Sequence, residues 1–151
     1  CSSDLENMSV FICKGCGHVA FGGAPDTCPV CGAPKDYFSQ NDKIFEESAE
    51  KSKEGAVKHI PSVKINKDCG MVPENDCIDI LVRVGETLHP MTAEHYIQFI
   101  DAYVDHKYVS RAYLTPDMNP AVILHLGNTS GKVQIVASCN LHGLWQAEAA
   151  L

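Results

Sequence analysis

The 151-residue sequence is short of positive charge: 12 Lys and Arg stand against 19 Asp and Glu, a net charge of −7 with His neutral. That balance argues against nucleic acid or an anionic membrane surface as partner, since both are drawn to clustered cations. No apolar run approaches the roughly 18 residues that a spanning helix needs, and no signal-type apolar stretch is present. Internal repeats and low-complexity tracts are also missing. Disorder is excluded by composition: 45% of residues are hydrophobic and 21% charged, enough for a packed core. The length suits one ordinary domain, or a mini-domain followed by one of about 100 residues.

What the chain has in excess is soft and borderline metal ligands, with eight Cys and seven His. In a secreted chain eight Cys would suggest four disulfides, but the spacing points to metal. Cys1 is no translational start. It is read as a sequence boundary, with Met8 as the natural start and the cytoplasm as location, because thiolate metal sites suit a reducing compartment. A lipoprotein or exported form beginning at Cys1 is the alternative.

From Cys13 the chain reads "CKGCGHVAFGGAPDTCPVCGAPKDYF", placing Cys13, Cys16, Cys28 and Cys31 in a C-x2-C-x11-C-x2-C pattern. Each C-x2-C forms a knuckle whose following glycine, Gly17 or Gly32, relaxes the turn and lets backbone N–H groups approach the sulfurs. Two facing knuckles make a tetrahedral four-sulfur cage suited to zinc or to a single iron. "CPVCG" followed by "PKDYF" resembles rubredoxin, and more closely the rubredoxin-like module of rubrerythrins, over residues 10–38. The resemblance implies one iron and electron transfer; a zinc ribbon that only folds the segment is the alternative. His18, beside the first knuckle, is expected at the surface.

Residues 39–58 are polar and charge-mixed, with a short helix expected over 42–53. They read as a connection, and the division that follows is a four-cysteine domain at 9–38, a linker at 39–56 and a second domain at 57–151. Beyond the linker, "DILVRV" (79–84), "AVILHL" (121–126) and "KVQIVAS" (132–138) are β-branched strands bounded by turn residues. The stretch 95–114 fits a helical stripe at Ile97, Ile100 and Val104, but its Tyr, Val, Ile and Phe content favours strands. Short strands with frequent turns suggest a sandwich. The fold class is therefore mainly β: a small rubredoxin-like or zinc-ribbon-type domain, then a β-sandwich.

The β region carries His59 in "KHIP", His89 and His95 in "HPMTAEHYI", and Cys139 and His142 in "CNLHGLW", besides His106 and His125. Taken singly, a His on a strand is more often a surface or core residue than a ligand. In this order and at these separations the three motifs resemble the iron domain of superoxide reductases, the desulfoferrodoxin and neelaredoxin family. The resemblance covers most of residues 57–146. It implies an immunoglobulin-like sandwich holding one non-haem iron, with His59, His89, His95 and His142 in a plane and the Cys139 thiolate on the axis. It further implies a one-electron reduction of superoxide to hydrogen peroxide at the open sixth position, where the opposing thiolate pushes electron density through the metal. Lys58 would draw in the anion and organise a proton-donating water, and Trp145 would pack over the site. His106 and His125 match no motif of the family. An external donor such as a rubredoxin or its reductase, with the four-cysteine centre as a relay, would restore the reduced state, and relatives suggest a homodimer or homotetramer.

Two departures qualify the resemblance. Many members have Glu directly before that Lys, which closes the sixth position in the ferric state; here the residue is Val57, so a carboxylate-free ferric site is expected, with nothing in the sequence favouring Glu54 as a substitute. Two-iron desulfoferrodoxins also use a different N-terminal cysteine spacing, one that ends in an adjacent pair. Cys69 and Cys77 are left over at C-x7-C spacing, either as a disulfide across a Gly/Pro/Asn turn or as two thiols. Among other functions, a cupredoxin needs a weak axial Met where Leu144 and Trp145 stand. A redox sensor without turnover would leave the open position beside Lys58 without a purpose.

Overall fold

The computed structural model describes residues 8–51, 55–72 and 74–151; Cys1 and Glu54 lie outside the described residues. At the N-terminus, β1 (Val10–Cys13), β2 (Val19–Phe21) and β3 (Phe38–Gln40) form a small antiparallel sheet in the order β2-β1-β3. Helix α1 (Ile44–Lys51) falls inside the expected span of 42–53, and the single turn α2 (Ala56–His59) follows.

Among the described residues, seven strands make the sandwich: β4 (Pro61–Asn66), β5 (Ile78–Val84), β6 (Ile97–Val104), β7 (Lys107–Tyr113), β8 (Ala121–Leu126), β9 (Lys132–Cys139) and β10 (Gly143–Ala150). One sheet runs β10-β9-β6-β7 and the other β4-β5-β8, all neighbours antiparallel. The expected strands at 79–84, 121–126 and 132–138 are present, and the stretch 95–114 is a hairpin. Its two-residue turn, Asp105–His106, has positive φ at both positions (49° and 68°), the twist that joins antiparallel strands tightly.

Burial shows how the layers stack. Strand β8 alternates exposed and half-buried, so only one of its faces is covered. Strands β6 and β9 are buried on nearly every residue, so both faces of that sheet are covered. One face holds the sandwich core of Ile80, Val82, Val84, Ile100, Ile135 and their neighbours. On the other, Phe99, Tyr103, Val136 and Leu144 pack with Val10 and Val19 of the N-terminal sheet and with Ile44 and Phe45 of α1. Each such side chain contributes about 1.5–3 kcal/mol of transfer free energy when fully buried. The connection between the two metal regions is therefore not a free tether: its helix is docked on the sheet.

The same packing corrects the expectation for His18, which is 2% exposed. Its Nδ1 lies 3.4 Å from Asp101 and 3.3 Å from the Tyr103 hydroxyl. Asp101 is fully buried and is held by Arg111 through Nε at 2.5 Å and a terminal nitrogen at 2.8 Å. The Arg111 guanidinium lies 3.5 Å from the centre of the Phe99 ring and donates to the Cys16 carbonyl at 2.8 Å. A buried carboxylate needs such partners, and here they join the first cysteine knuckle to β6 and β7.

Candidate metal centres

Cys13, Cys16, Cys28 and Cys31 present their sulfurs within 4.8 Å of one another. The Cys13–Cys31 and Cys16–Cys28 Sγ pairs are each 3.6 Å apart. That is close to the edge of about 3.7 Å that a tetrahedron with metal–sulfur bonds of about 2.3 Å requires. Both knuckles are built as the spacing implies: the N–H groups of Gly17 and Gly32 close onto the Cys13 and Cys28 carbonyls, with φ of 79° and 78°. A Cβ at Gly17 would also come within 3.3 Å of Phe99, so this knuckle needs glycine twice over. An N–H from Ala33 lowers the Cys31 thiol pKa, favouring the thiolate that a metal requires.

The second cluster stands at the end of the sandwich where β4 begins and β5 ends. His59 closes α2 because Ile60 precedes Pro61, a position that disfavours helix, and the chain turns extended there. His89 is anchored by its N–H to the Val84 carbonyl, and His95 by its N–H to Thr92. Cys139 is the last residue of β9, paired across the sheet with Ile97. Asn140, which the sequence reading passed over, ties the loop bearing His95 to the turn bearing Cys139 and His142. Its side chain accepts from the Tyr96 N–H at 3.0 Å and donates to the Glu94 carbonyl at 3.0 Å.

The four imidazoles form a ring. Neighbouring centroids are 4.7 Å (His59–His89), 4.6 Å (His89–His95), 4.9 Å (His95–His142) and 4.9 Å (His142–His59) apart, and the His59–His95 diagonal is 6.2 Å. Successive planes are inclined by 71–79°. The ligand atoms of His59, His89, His95 and Cys139 all fall within 4.8 Å of one another, and His142 joins them through Nδ1, 3.6 Å from the Cys139 sulfur. Trp145 stacks on His59 at 4.7 Å and 19°, and its indole N–H donates to the His142 carbonyl.

Hydrogen bonding shows what this ring is built to hold. The Nδ1–H groups of His59 and His89 donate to the Gly55 and Pro90 carbonyls, each at 2.7 Å. Both Nε2 atoms are then bare lone pairs, and they face each other at 3.2 Å. His95 Nε2 is buried with no hydrogen-bond partner. Converging lone pairs repel unless a cation lies between them. Burial pushes His89 down to about 4 and lowers His59 and His95 as well, so these rings are neutral, the form that binds metal. Burial raises the Cys139 thiol, so a metal must displace its proton. Four imidazoles and one thiolate fit iron.

Lys58 is exposed on the turn that carries His59, and after burial and the neighbouring imidazoles its charge adds a smaller downward push to the pKa of His59 and His95. Val57 is 49% exposed on the same turn. Nearby, Gly85 has φ of 90°, and a Cβ there would stand 2.5 Å from the Lys58 carbonyl oxygen. Of the remaining His, His106 occupies the β6–β7 turn beside Phe21. His125 does not stand alone: it lies against Cys69, Cys77 and Asp79. Both Cys69 and Cys77 are free thiols.

Residues 48–148 match the family described as Desulfoferrodoxin, and residues 11–39 match the rubredoxin-like domain of rubrerythrin. A desulfoferrodoxin of Syntrophotalea carbinolica is 30% identical over 146 residues, covering 95% of this chain and 98% of its own. A superoxide reductase of Pyrococcus abyssi is 32% identical over 106 residues, covering 62% of this chain and 87% of its own. Among solved structures, the superoxide reductase of Treponema pallidum shares the fold, with a TM-score of 0.60, 24% identity, and coverage of 94% of this chain and 98% of its own. By its motifs, its fold and its match over 48–148, the chain belongs to the desulfoferrodoxin family.

Proposed function

We propose that the chain is a superoxide reductase, with His59, His89, His95 and His142 around a non-haem iron and Cys139 as its thiolate ligand. The observation that carries this reading is the convergence of the bare Nε2 atoms of His59, His89 and His95 beside a buried Cys, with His142 closing the ring. Bound there, iron would supply a single electron to a small oxidant. The rest of the work falls to the chain. Backbone carbonyls hold His59 and His89 in one tautomer, so that only Nε2 faces inward. Trp145 covers the His59 ring and keeps water from that side. Lys58 gives a net-negative protein a local cation that attracts the superoxide anion and orients a water as proton donor. Val57 supplies no carboxylate, so the oxidised site carries none from that position.

The four-cysteine centre is proposed as an iron electron relay. Its knuckle rests on Phe99 of β6, a strand that begins at Ile97, two residues after His95. Electrons would enter there from an external donor of the rubredoxin type. The test is stoichiometric: reduced protein mixed with a superoxide pulse should yield one hydrogen peroxide per superoxide and no oxygen. Oxygen at half that yield would mean dismutation and would sink the reading.

A further inference from the structure

A third constellation lies outside both centres. Alternate residues of a strand share a face, so Cys77, just ahead of β5, and Asp79 within it point the same way. Asp79 pairs across the sheet with His125 of β8 on one side and with Asn66 of β4 on the other. Core residues Ile80, Val82, Leu124 and Leu126 occupy the opposite parity, so this row stands on the outer face of the β4-β5-β8 sheet. The loop leaving β4 turns back at Asp68, whose N–H bonds to the Asn66 side chain, and delivers Cys69 to the same spot.

The ligand atoms of Cys69, Cys77, Asp79 and His125 all lie within 4.8 Å of one another. His125 Nδ1 is 3.4 Å from the Cys69 sulfur, 3.5 Å from the Cys77 sulfur and 2.8 Å from Asp79 Oδ1. One Nδ1 proton cannot serve three acceptors at once; a cation at their centre can. Bonds of about 2.3 Å to sulfur and 2.0 Å to nitrogen set tetrahedral edges of about 3.5 Å, which the two sulfur–nitrogen distances already match. The nitrogen–oxygen pair must part by about half an ångström, and the Cys77 sulfur, 3.8 Å from Asp79 Oδ1, must close by about 0.3 Å. The other carboxylate oxygen of Asp79 accepts from the Asn66 amide at 3.2 Å, which aims Oδ1 inward as outer partners of metal ligands do.

We propose that Cys69, Cys77, Asp79 and His125 form a third metal site, closed and tetrahedral, that takes zinc. Two thiolates, an imidazole and a carboxylate are borderline-soft ligands in the geometry zinc accepts, and four protein donors leave no position for a substrate. The site pins the β4–β5 loop onto the sheet at the far end of β5 from His89. Asp79 to Val84 is five residues, about 17 Å of strand, so the site is separate from the imidazole ring and independent of the reading given to it. Cys77 is buried, while His125 is open to solvent and gives the ion a way in.

The test uses the full chain, grown with zinc and iron and purified without chelator, with metals counted by mass spectrometry. The wild type should hold one zinc per chain more than either Cys69→Ser/Cys77→Ser or His125→Gln, with iron content and visible spectrum unchanged across all three. The unchanged spectrum shows that each variant is folded. His125→Gln removes only an outward-facing donor, so it reports even where the double variant misfolds. Alkylation of the wild type should leave Cys69 and Cys77 protected until a chelator is added. Equal zinc in wild type and His125→Gln would overturn the proposal, and so would a Cys69–Cys77 disulfide in zinc-replete protein.

Discussion

Replacing Arg111 with Met tests how the two metal regions are joined. The guanidinium makes two bonds to Asp101, one to the Cys16 carbonyl and a stacked contact with Phe99. Methionine keeps much of the stem but leaves a fully buried carboxylate facing only His18. Breaking one partner out of a buried pair costs about 3–5 kcal/mol. At roughly 2–4 °C per kcal/mol for a chain of this size, the melting temperature should fall by about 10 °C. Arg111→Met with Asp101→Asn removes the stranded charge and should recover a large part of the loss, so the pair should be strongly non-additive in a double-mutant cycle. Thermal unfolding followed by circular dichroism reads the first effect. Stopped-flow reduction of the His-and-Cys-ligated iron reads the second, because a loosened knuckle should slow electrons that pass through the four-cysteine centre. A single variant within about 1 kcal/mol of wild type, with unchanged reduction, would refute the brace.

Three further outcomes are expected. Lys58→Ala should slow the reaction with superoxide by roughly fivefold, the worth of one charge at about 4 Å in water, and flatten its ionic-strength dependence; Lys58→Arg should restore the rate, and an unchanged rate in Lys58→Ala would remove the steering role. In the iron-loaded protein the Cys139 thiolate should give the second centre a broad thiolate-to-iron absorption band, which Cys139→Ser should abolish while the spectrum of the four-cysteine centre persists; survival of that band would mean a different sulfur ligand. Gly85→Ala forces a side chain into positive φ against the Thr87 and Lys58 carbonyls, and should cost at least about 1–3 kcal/mol in chemical denaturation; a smaller loss would show that the Lys58–His59 turn is not held there.

Much of the site was legible because its ligands come in local motifs. Cys13 to Cys31 and Cys139 to His142 carry their spacing in the sequence, and so do the glycines that shape the knuckles. The hairpin at 97–113 was legible from β-branched content once helical periodicity was set aside. What stayed hidden depends on long-range pairing. His18 and Asp101 are 83 residues apart, and nothing local announces that the first knuckle would bury them together. His125 seemed unattached because its partners come from β5 and from the loop before it. The one available hint was Cys77 and Asp79 at strand spacing, which puts two ligands on one face. Asn140 was overlooked because an Asn in a turn is ordinary; only the fold reveals that it links two ligand loops.

The central claim is most directly tested by the visible spectrum of the iron-replete, oxidised protein. The account predicts two signatures, a rubredoxin-like pattern and a broad thiolate-to-iron band at longer wavelength. Both should bleach on reduction, and the long-wavelength band should return when superoxide is added. A metal-replete protein without that band, or one whose band stays bleached under superoxide, would contradict the assignment of His59, His89, His95, His142 and Cys139 as a superoxide-reducing iron site.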